Sequence, residues 1–319
     1  MTAQSLPWAG DELALDHVLI GSGALVSASL SPGRVRIDVS DADWMTEAAS
    51  RATDRPPVDL RTDVPHPARV YDYLLGGKDN FPADRTAAEH GRSSNPASDV
   101  APGANRDWLR RAVTYLTAEQ GIRQFLDIGT GLPTPPNVHE VAQGIDPGAR
   151  VVYTDHDPIV LAHARALLAS SPSGVTDYLD ADLRDPERII EAAKRTLDFD
   201  QPVALLLVAI VHFIGDADEP HRIVRQLLDA LPSGSYLALS HLTGDFLPEQ
   251  WKKVEEIYAA RGVTMQVRPK PAIESFFDGL ELVDPGVTLV HRWHPDEKDR
   301  FADRSDELVS VYGAIARKP

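Results

Sequence analysis

Short apolar runs and segments of helical period take turns along the chain from about residue 122 onward. "IRQFLDIG", "ARVVYTD" and "VTDYLDAD" read as strands, the third being the weakest. "PVALLLVAIVHFI" is a continuous apolar run, the pattern of a central parallel strand covered on both faces. "GSYLALSHLT" is the fifth. Between them, "PIVLAHARALLAS", "PERIIEAAKRTL" and "EPHRIVRQLLDAL" repeat apolar residues at helical spacing. Asp157-Pro158 and Asp185-Pro186 each put a capping carboxylate before a proline at the first helical position. This alternation predicts an α/β fold: a parallel, doubly wound sheet with helices on both faces. The tail departs from it. "LELVDPGVTLVHRW" and "ELVSVYGAIARKP" are two strands without a clear helix between them, which predicts antiparallel pairing at one end of the sheet.

Ahead of this region, residues 68–121 read as helical, in the segments "ARVYDYLLGG", "ADRTAAEHG" and "ANRDWLRRAVTYLTAEQG". Residues 45–67 are polar and rich in Pro, Asp and Arg, as a linker is. Residues 1–44 carry the apolar stretch "HVLIGSGALVSASL" and a strand-like "RVRIDVS", with no link to the chemistry below. The domain reading is therefore an N-terminal extension over 1–44, a linker over 45–67, a helical cap over 68–121 and a ligand-binding domain over 122–319.

Composition narrows the function. Acidic residues outnumber basic ones 48 to 32, a net charge of −16, and no dense Lys/Arg run interrupts the acidity. A nucleic-acid backbone is repelled by such a surface. Cysteine is absent, which excludes disulfides, thiolate chemistry and Cys-based metal sites. The longest apolar run, Val203 to Ile214, is too short for a membrane span, which takes about 20 residues. The first residues lack the basic and apolar regions of a signal peptide, so the expected location is the cytoplasm.

In a doubly wound sheet, ligands sit beyond the carboxyl ends of the strands, so the first βα loop is the place to look. Here it is Gly129-Thr130-Gly131, behind a strand that ends in Asp127. About 25 residues on, the second strand ends in Asp155, placed to accept hydrogen bonds from both hydroxyls of a ribose. The third ends in Asp180-Ala181-Asp182-Leu183, where an acceptor meets an adenine amino group. A third glycine, which a pyrophosphate favours, is missing. Position 134 is Thr134, flanked by Pro133, Pro135 and Pro136, and prolines remove backbone donors. A nucleoside without phosphates fits this loop better than NAD does. A nucleoside with a cationic amino-acid end is S-adenosylmethionine, and acidic surroundings favour that cation.

From about Pro65 to Lys318 the chain resembles the actinobacterial S-adenosyl methyltransferase family long grouped as a domain of unknown function, within the class I methyltransferase superfamily. The likeness rests on "PHPARVYDYLLGGKDNFPADR", "FLDIGTGLPTPPNVHEVAQ", "RVVYTDHDPIVLAHARALL", "DADLRDP", "PVALLLVAIVHFI", "LPSGSYLALSH", "FFDGLELVDPGV", "HRWHPD" and "YGAIARK". The resemblance implies a Rossmann-like sheet of seven strands with the last antiparallel. It implies that Asp127, Gly129 and Gly131 line the methionine end of the cofactor, Asp155 the ribose, and Asp182 with Leu183 the adenine; Thr130 and His156 beside them are expected to bind the cofactor as well.

Methyl transfer from a sulfonium is an in-line displacement that rests largely on alignment. His212, after the fourth strand, is the first candidate for a general base; His241 is a weaker one, and His139 reads as structural. In "ARVYDYLLGGKDN", Tyr71 or Tyr73 is placed to face a sulfonium as a cation–π partner, and Gly76-Gly77 to act as a hinge for a lid. Asn105-Arg106, read as the opening of the next helix, is placed to bind the methionine carboxylate. "HRWHPDE", His291 to Glu297, has poor metal spacing and reads as a surface loop. The sequence thus points to an S-adenosylmethionine-dependent methyltransferase acting on a small-molecule acceptor. The alternatives are a non-catalytic sensor of the cofactor or its demethylated product, and an NAD-dependent oxidoreductase.

Overall fold

The computed structural model describes residues 60–167 and 170–319, together with three strands between residues 14 and 38. The chain divides between Asp59 and Leu60 into two units. In the N-terminal unit, β1 (Ala14–Ile20), β2 (Ala24–Ser31) and β3 (Arg34–Asp38) form an antiparallel sheet. The N-terminal extension thus holds a sheet, while residues 45–59 of the expected linker lie outside the described residues.

The second unit opens with α1 (Pro67–Leu74), α2 (Pro82–Ser94) and α3 (Ala97–Ala118). The alternating region follows: β4 (Gln124–Ile128), α4 (Val138–Ile145), β5 (Arg150–Asp155), α5 (Pro158–Leu167), β6 (Val175–Asp180), α6 (Pro186–Ala193), β7 (Ala204–Val208), α7 (Pro220–Asp229) and β8 (Tyr236–Leu242). The tail comprises α8 (Pro248–Ala259), α9 (Lys270–Glu274), β9 (Glu281–Leu282), β10 (Thr288–Leu289), α10 (Asp306–Val309) and β11 (Val311–Arg317). The main sheet runs β10-β11-β8-β7-β4-β5-β6, with β9 also on β11. Strands β4 to β8 are parallel, and β11 is antiparallel to β8. The sheet has eight strands where seven are expected, because Asp284-Pro285-Gly286 breaks one edge strand into β9 and β10. Both pieces pair antiparallel with β11, as the tail's pattern predicts.

Period-two alternation sorts the core. Phe125, Ala204 and Leu206 point to the layer of α3 and α4, where they meet Trp108 and Ala142. Leu126, Leu205 and Leu207 point to α6 and α7, where they meet Ile189 and Leu227. Strand β7 is apolar at every position because both faces are covered. The Asp-Pro caps behave as their chemistry dictates: Asp157 accepts from the Ile159 N–H at 2.9 Å, and Asp185 from the Arg188 N–H at 3.2 Å.

Three local expectations are corrected. The run from Val203 to Ile214 is strand only as far as Val208; Ala209 then takes φ 54° and Val211–Phe213 form a 3₁₀ turn. Asn105 and Arg106 lie inside α3 rather than at its start, because the helix begins at Ala97 and carries Pro102 within it. "HRWHPDE" is no surface loop in its first half: His291 and Trp293 are buried, and Trp293 packs edge-on against Trp108 and Tyr115. Buried Arg111 holds it by donating to the carbonyls of Trp293 (3.0 Å) and Val290 (2.6 Å). No helix among the described residues is long and apolar enough to cross a membrane.

Candidate active site

The order of the parallel strands reverses between β4 and β7, and a cleft opens at their carboxyl ends. Each neighbouring strand delivers a residue to it: Asp127 and Gly129 from β4, Asp155 from β5, Asp182 beyond β6, and Ala209 beyond β7. Tyr71, Arg106, Thr130, Gly131, His156 and Leu183 complete the part of the lining expected from the sequence. Gly76 is not among the lining residues. It takes φ 82° just after α1, where its N–H donates to the Tyr73 carbonyl, so it serves as a helix stop. His212 lies elsewhere, in the wall of a second cavity.

The glycines are dictated by geometry. Gly129 has φ 76°, and a Cβ there would lie 2.5 Å from Ile210 Cγ1. Gly131 has φ 68°, with only Ala68 at 4.0 Å. The turn is fastened to the next strand: the N–H groups of Gly129 and Thr130 donate to the Thr154 carbonyl at 2.8 and 3.2 Å. Asp155 closes it, accepting from the N–H of Gly131 at 2.9 Å and of Asp157 at 3.0 Å. The proline segment turns its carbonyls to Arg106, whose guanidinium donates to Thr134 and, at 2.7 Å, to Pro136.

Electrostatically the cleft suits a cation. Asp127 is buried, and burial pushes its carboxyl up to about 7, with Arg106 pulling it down and Asp155 pushing it further up. No hydrogen bond satisfies its carboxylate among the described residues. Asp182 is partly exposed and accepts from the Arg184 N–H at 2.9 Å.

Several lining residues carry little signal in the sequence. His66 caps α1 and sits 3.1 Å from Asp157 and 3.4 Å from His156. Burial lowers its pKa, against the pull of Asp157 and Asp155. A histidine directly before Pro67 is the one sign of that cap. Ala209 and Ile210 hide within an apolar run.

A second, apolar cavity adjoins the cleft and shares Pro67, Tyr71, Asn105, Ala209 and Phe213 with it. A hydrogen-bonded chain builds the shared wall. The Ala209 N–H donates to Ser240 Oγ at 3.0 Å, and that hydroxyl to Asn105 Oδ1 at 2.6 Å. Asn105 Nδ2 donates to the Tyr71 hydroxyl at 3.0 Å, which donates to the Pro102 carbonyl at 2.9 Å. Tyr73 is not part of it; its hydroxyl donates to Glu89.

Of the histidines, His212 is buried, and Nδ1 has no hydrogen-bond partner. Burial, with His241 and Arg268 beside it, holds its pKa well below the ordinary range, so the ring is neutral. His241 uses both nitrogens: Nδ1 donates to the Leu242 carbonyl at 2.6 Å, and Nε2 accepts from Arg268 at 2.9 Å. Burial takes its pKa down to about 3, and with both nitrogens engaged it has none free to take a proton. His139 bonds Tyr153 in the core at 2.9 Å. No group of His, Asp or Glu side chains among the described residues is placed to hold a metal ion.

This arrangement matches known proteins. A family model described as S-adenosyl methyltransferase fits residues 53–319. A DUF574 family protein from Streptomyces avermitilis is 51% identical, with a TM-score of 0.79, over 82% of this chain and 100% of its own. A proposed methyltransferase from Thermobifida fusca is 42% identical, with a TM-score of 0.74, over 83% of this chain and 99% of its own. No protein of curated function matches. Since the matched residues run through the cleft and both ends of the main sheet, the chain belongs to the S-adenosyl methyltransferase family, and S-adenosylmethionine is its cofactor.

Proposed function

We propose that this protein transfers the methyl group of S-adenosylmethionine to a small-molecule acceptor. The observation that carries the reading is the convergence of Asp127, Asp155 and Asp182 with the Gly129–Gly131 turn on one cleft, with a second cavity directly beside it. When bound, the cofactor supplies an electrophilic methyl group on a cationic sulfur. Asp127 and Arg106 stand where the amino and carboxylate groups of the methionine end would meet charges of opposite sign. Asp155, with His156, would hold the ribose, and Asp182 with Leu183 the adenine. Tyr71 lines both cavities, and its ring would be the cation–π partner of the sulfonium.

The second cavity favours a catalyst over a sensor, since a sensor has no use for a chamber beside the methyl group. A nucleic-acid acceptor is disfavoured by the net charge of −16. The cytoplasm, where the cofactor is made, remains the location that fits this reading. Calorimetric titration with S-adenosylmethionine, S-adenosylhomocysteine and NAD tests it. Micromolar binding of the first two and none of NAD is expected; NAD binding alone overturns the assignment. Release of S-adenosylhomocysteine on incubation with a small-molecule extract is the expected sign of turnover, and its absence from every extract returns the reading to a sensor.

A further inference from the structure

The second cavity takes its shape from small residues. Ala87, Ala88 and Gly91 on α2 face Ala101 on α3, and no larger side chain fills the gap. Trp251 and Tyr258 on α8 also line it, Tyr258 packing against the cluster of Val70, Ala87 and Ala88, and Phe213 lines both this cavity and the cleft. Counting its open mouth, the empty space is about 650 Å³, against about 930 Å³ for the cofactor cleft. Among the described residues no Asp, Glu, Lys or Arg lines it.

The wall carries several polar groups, among them Ser98, Tyr258 and Trp251, whose indole Nε1 is buried without a hydrogen-bond partner among the described residues. Tyr71 and Asn105 are committed to the hydrogen-bonded chain described above. His212 is 2% exposed and lines the cavity, and its Nδ1 has no hydrogen bond among the described residues. A buried, neutral imidazole with an unpartnered nitrogen calls for a donor from a ligand. Charge then limits what can bring that donor. A carboxylate finds no cation here. An amine is an ammonium ion at neutral pH and finds no carboxylate. An uncharged hydroxyl meets neither penalty.

Resting on the cofactor reading above, we propose that this cavity is the acceptor chamber, and that the acceptor is an uncharged, ring-sized apolar molecule presenting one hydroxyl to His212. The hydroxyl oxygen gains the methyl group as the carbon–sulfur bond breaks, and the bonding pair stays on sulfur. The hydroxyl proton, made strongly acidic as the oxygen takes the methyl group, passes to solvent by way of His212, whose buried ring beside Arg268 does not retain it, so the single positive charge leaves with the proton. His212 thus acts from the chamber, where the chain turns away from β7 at Ala209.

Calorimetry on the full chain saturated with S-adenosylhomocysteine tests this, with 2-naphthol as probe and 2-naphthoate and 2-naphthylmethylamine as its anionic and cationic counterparts. Binding of 2-naphthol at least tenfold tighter than either is expected. Ala88→Leu fills the chamber and should weaken 2-naphthol at least tenfold while S-adenosylhomocysteine affinity stays within twofold. Ala101→Leu on the facing helix is the second variant, with the same expectation, should the first fail to fold. His212→Phe should reduce the preference for 2-naphthol over 2-methylnaphthalene severalfold. If S-adenosylhomocysteine binds but 2-naphthol does not, or binds both filled variants as tightly as the parent, the chamber assignment is overturned and the cofactor reading stands. Failure of S-adenosylhomocysteine itself to bind overturns both.

Discussion

Ser240 and Asn105, 135 positions apart in the chain, share a 2.6 Å hydrogen bond that ties β8 to α3 within the wall between cleft and chamber. Both side chains are buried, and Asn105 also supports the Tyr71 hydroxyl. Asn105→Ala strips partners from both neighbours at once. A buried group left without its partner costs about 1–3 kcal/mol. Urea unfolding at equilibrium should show a loss of that size with an unchanged slope. A midpoint equal to the parent's would mean that the wall is held by packing alone.

Asp155 carries two duties, since the same carboxylate receives two backbone N–H groups of the site. Asp155→Ala should weaken S-adenosylhomocysteine by about 1–3 kcal/mol, close to 5- to 150-fold, from the lost ribose acceptor and the loosened turn. Titration of the variant measures it. Affinity equal to the parent's would remove Asp155 from the ribose.

Why Asp127, Asp155 and Asp182 are legible in the sequence is plain from their positions. Each lies at or just beyond the end of a strand whose apolar pattern can be counted, and the topology sends those ends to one place. The chamber is not legible. Its wall comes from α1, α2, α3, α8 and the turn after β7, and its defining residues are alanines that read as ordinary helix packing. The turn at Ala209 escapes for a different reason. A run of branched apolar residues reads as straight strand, and only tertiary packing against Gly129 and Ser240 bends it. Pro102 misleads in the opposite sense: it suggests a break where α3 continues and uses the Pro102 carbonyl to hold Tyr71.

The two glycines of the turn should differ in their tolerance. Gly131→Ala meets open space and suffers chiefly from its positive φ, which costs about 1–2 kcal/mol. Gly129→Ala bears the same backbone cost and also drives a methyl group to 2.5 Å from Ile210, which lines the cleft. Stability and S-adenosylhomocysteine affinity should therefore fall further in Gly129→Ala than in Gly131→Ala. Thermal unfolding and titration of the pair check this. Equal losses would mean that Ile210 yields freely and that the close approach has no role in shaping the site.

Asp127 gives the cofactor site a pH dependence whose sign can be worked out. Its pKa in the fold is about 7, against about 4 for an exposed carboxylate, so the fold binds the extra proton between those values. Without cofactor, this group's contribution to stability is full below about pH 4 and is lost as pH rises through about 7. Binding runs the other way. An ammonium group needs the ionised carboxylate, whose fraction is about one tenth at pH 6 and nine tenths at pH 8. S-adenosylhomocysteine should therefore bind about tenfold more tightly at pH 8 than at pH 6, with a proton released on binding at pH 6. Calorimetry in two buffers of different ionisation enthalpy reads that proton directly. Asp127→Asn should bind weakly with no such step. A parent affinity that is flat across this range, with no proton release, would mean that Asp127 does not face the amino group and that another residue holds the methionine end.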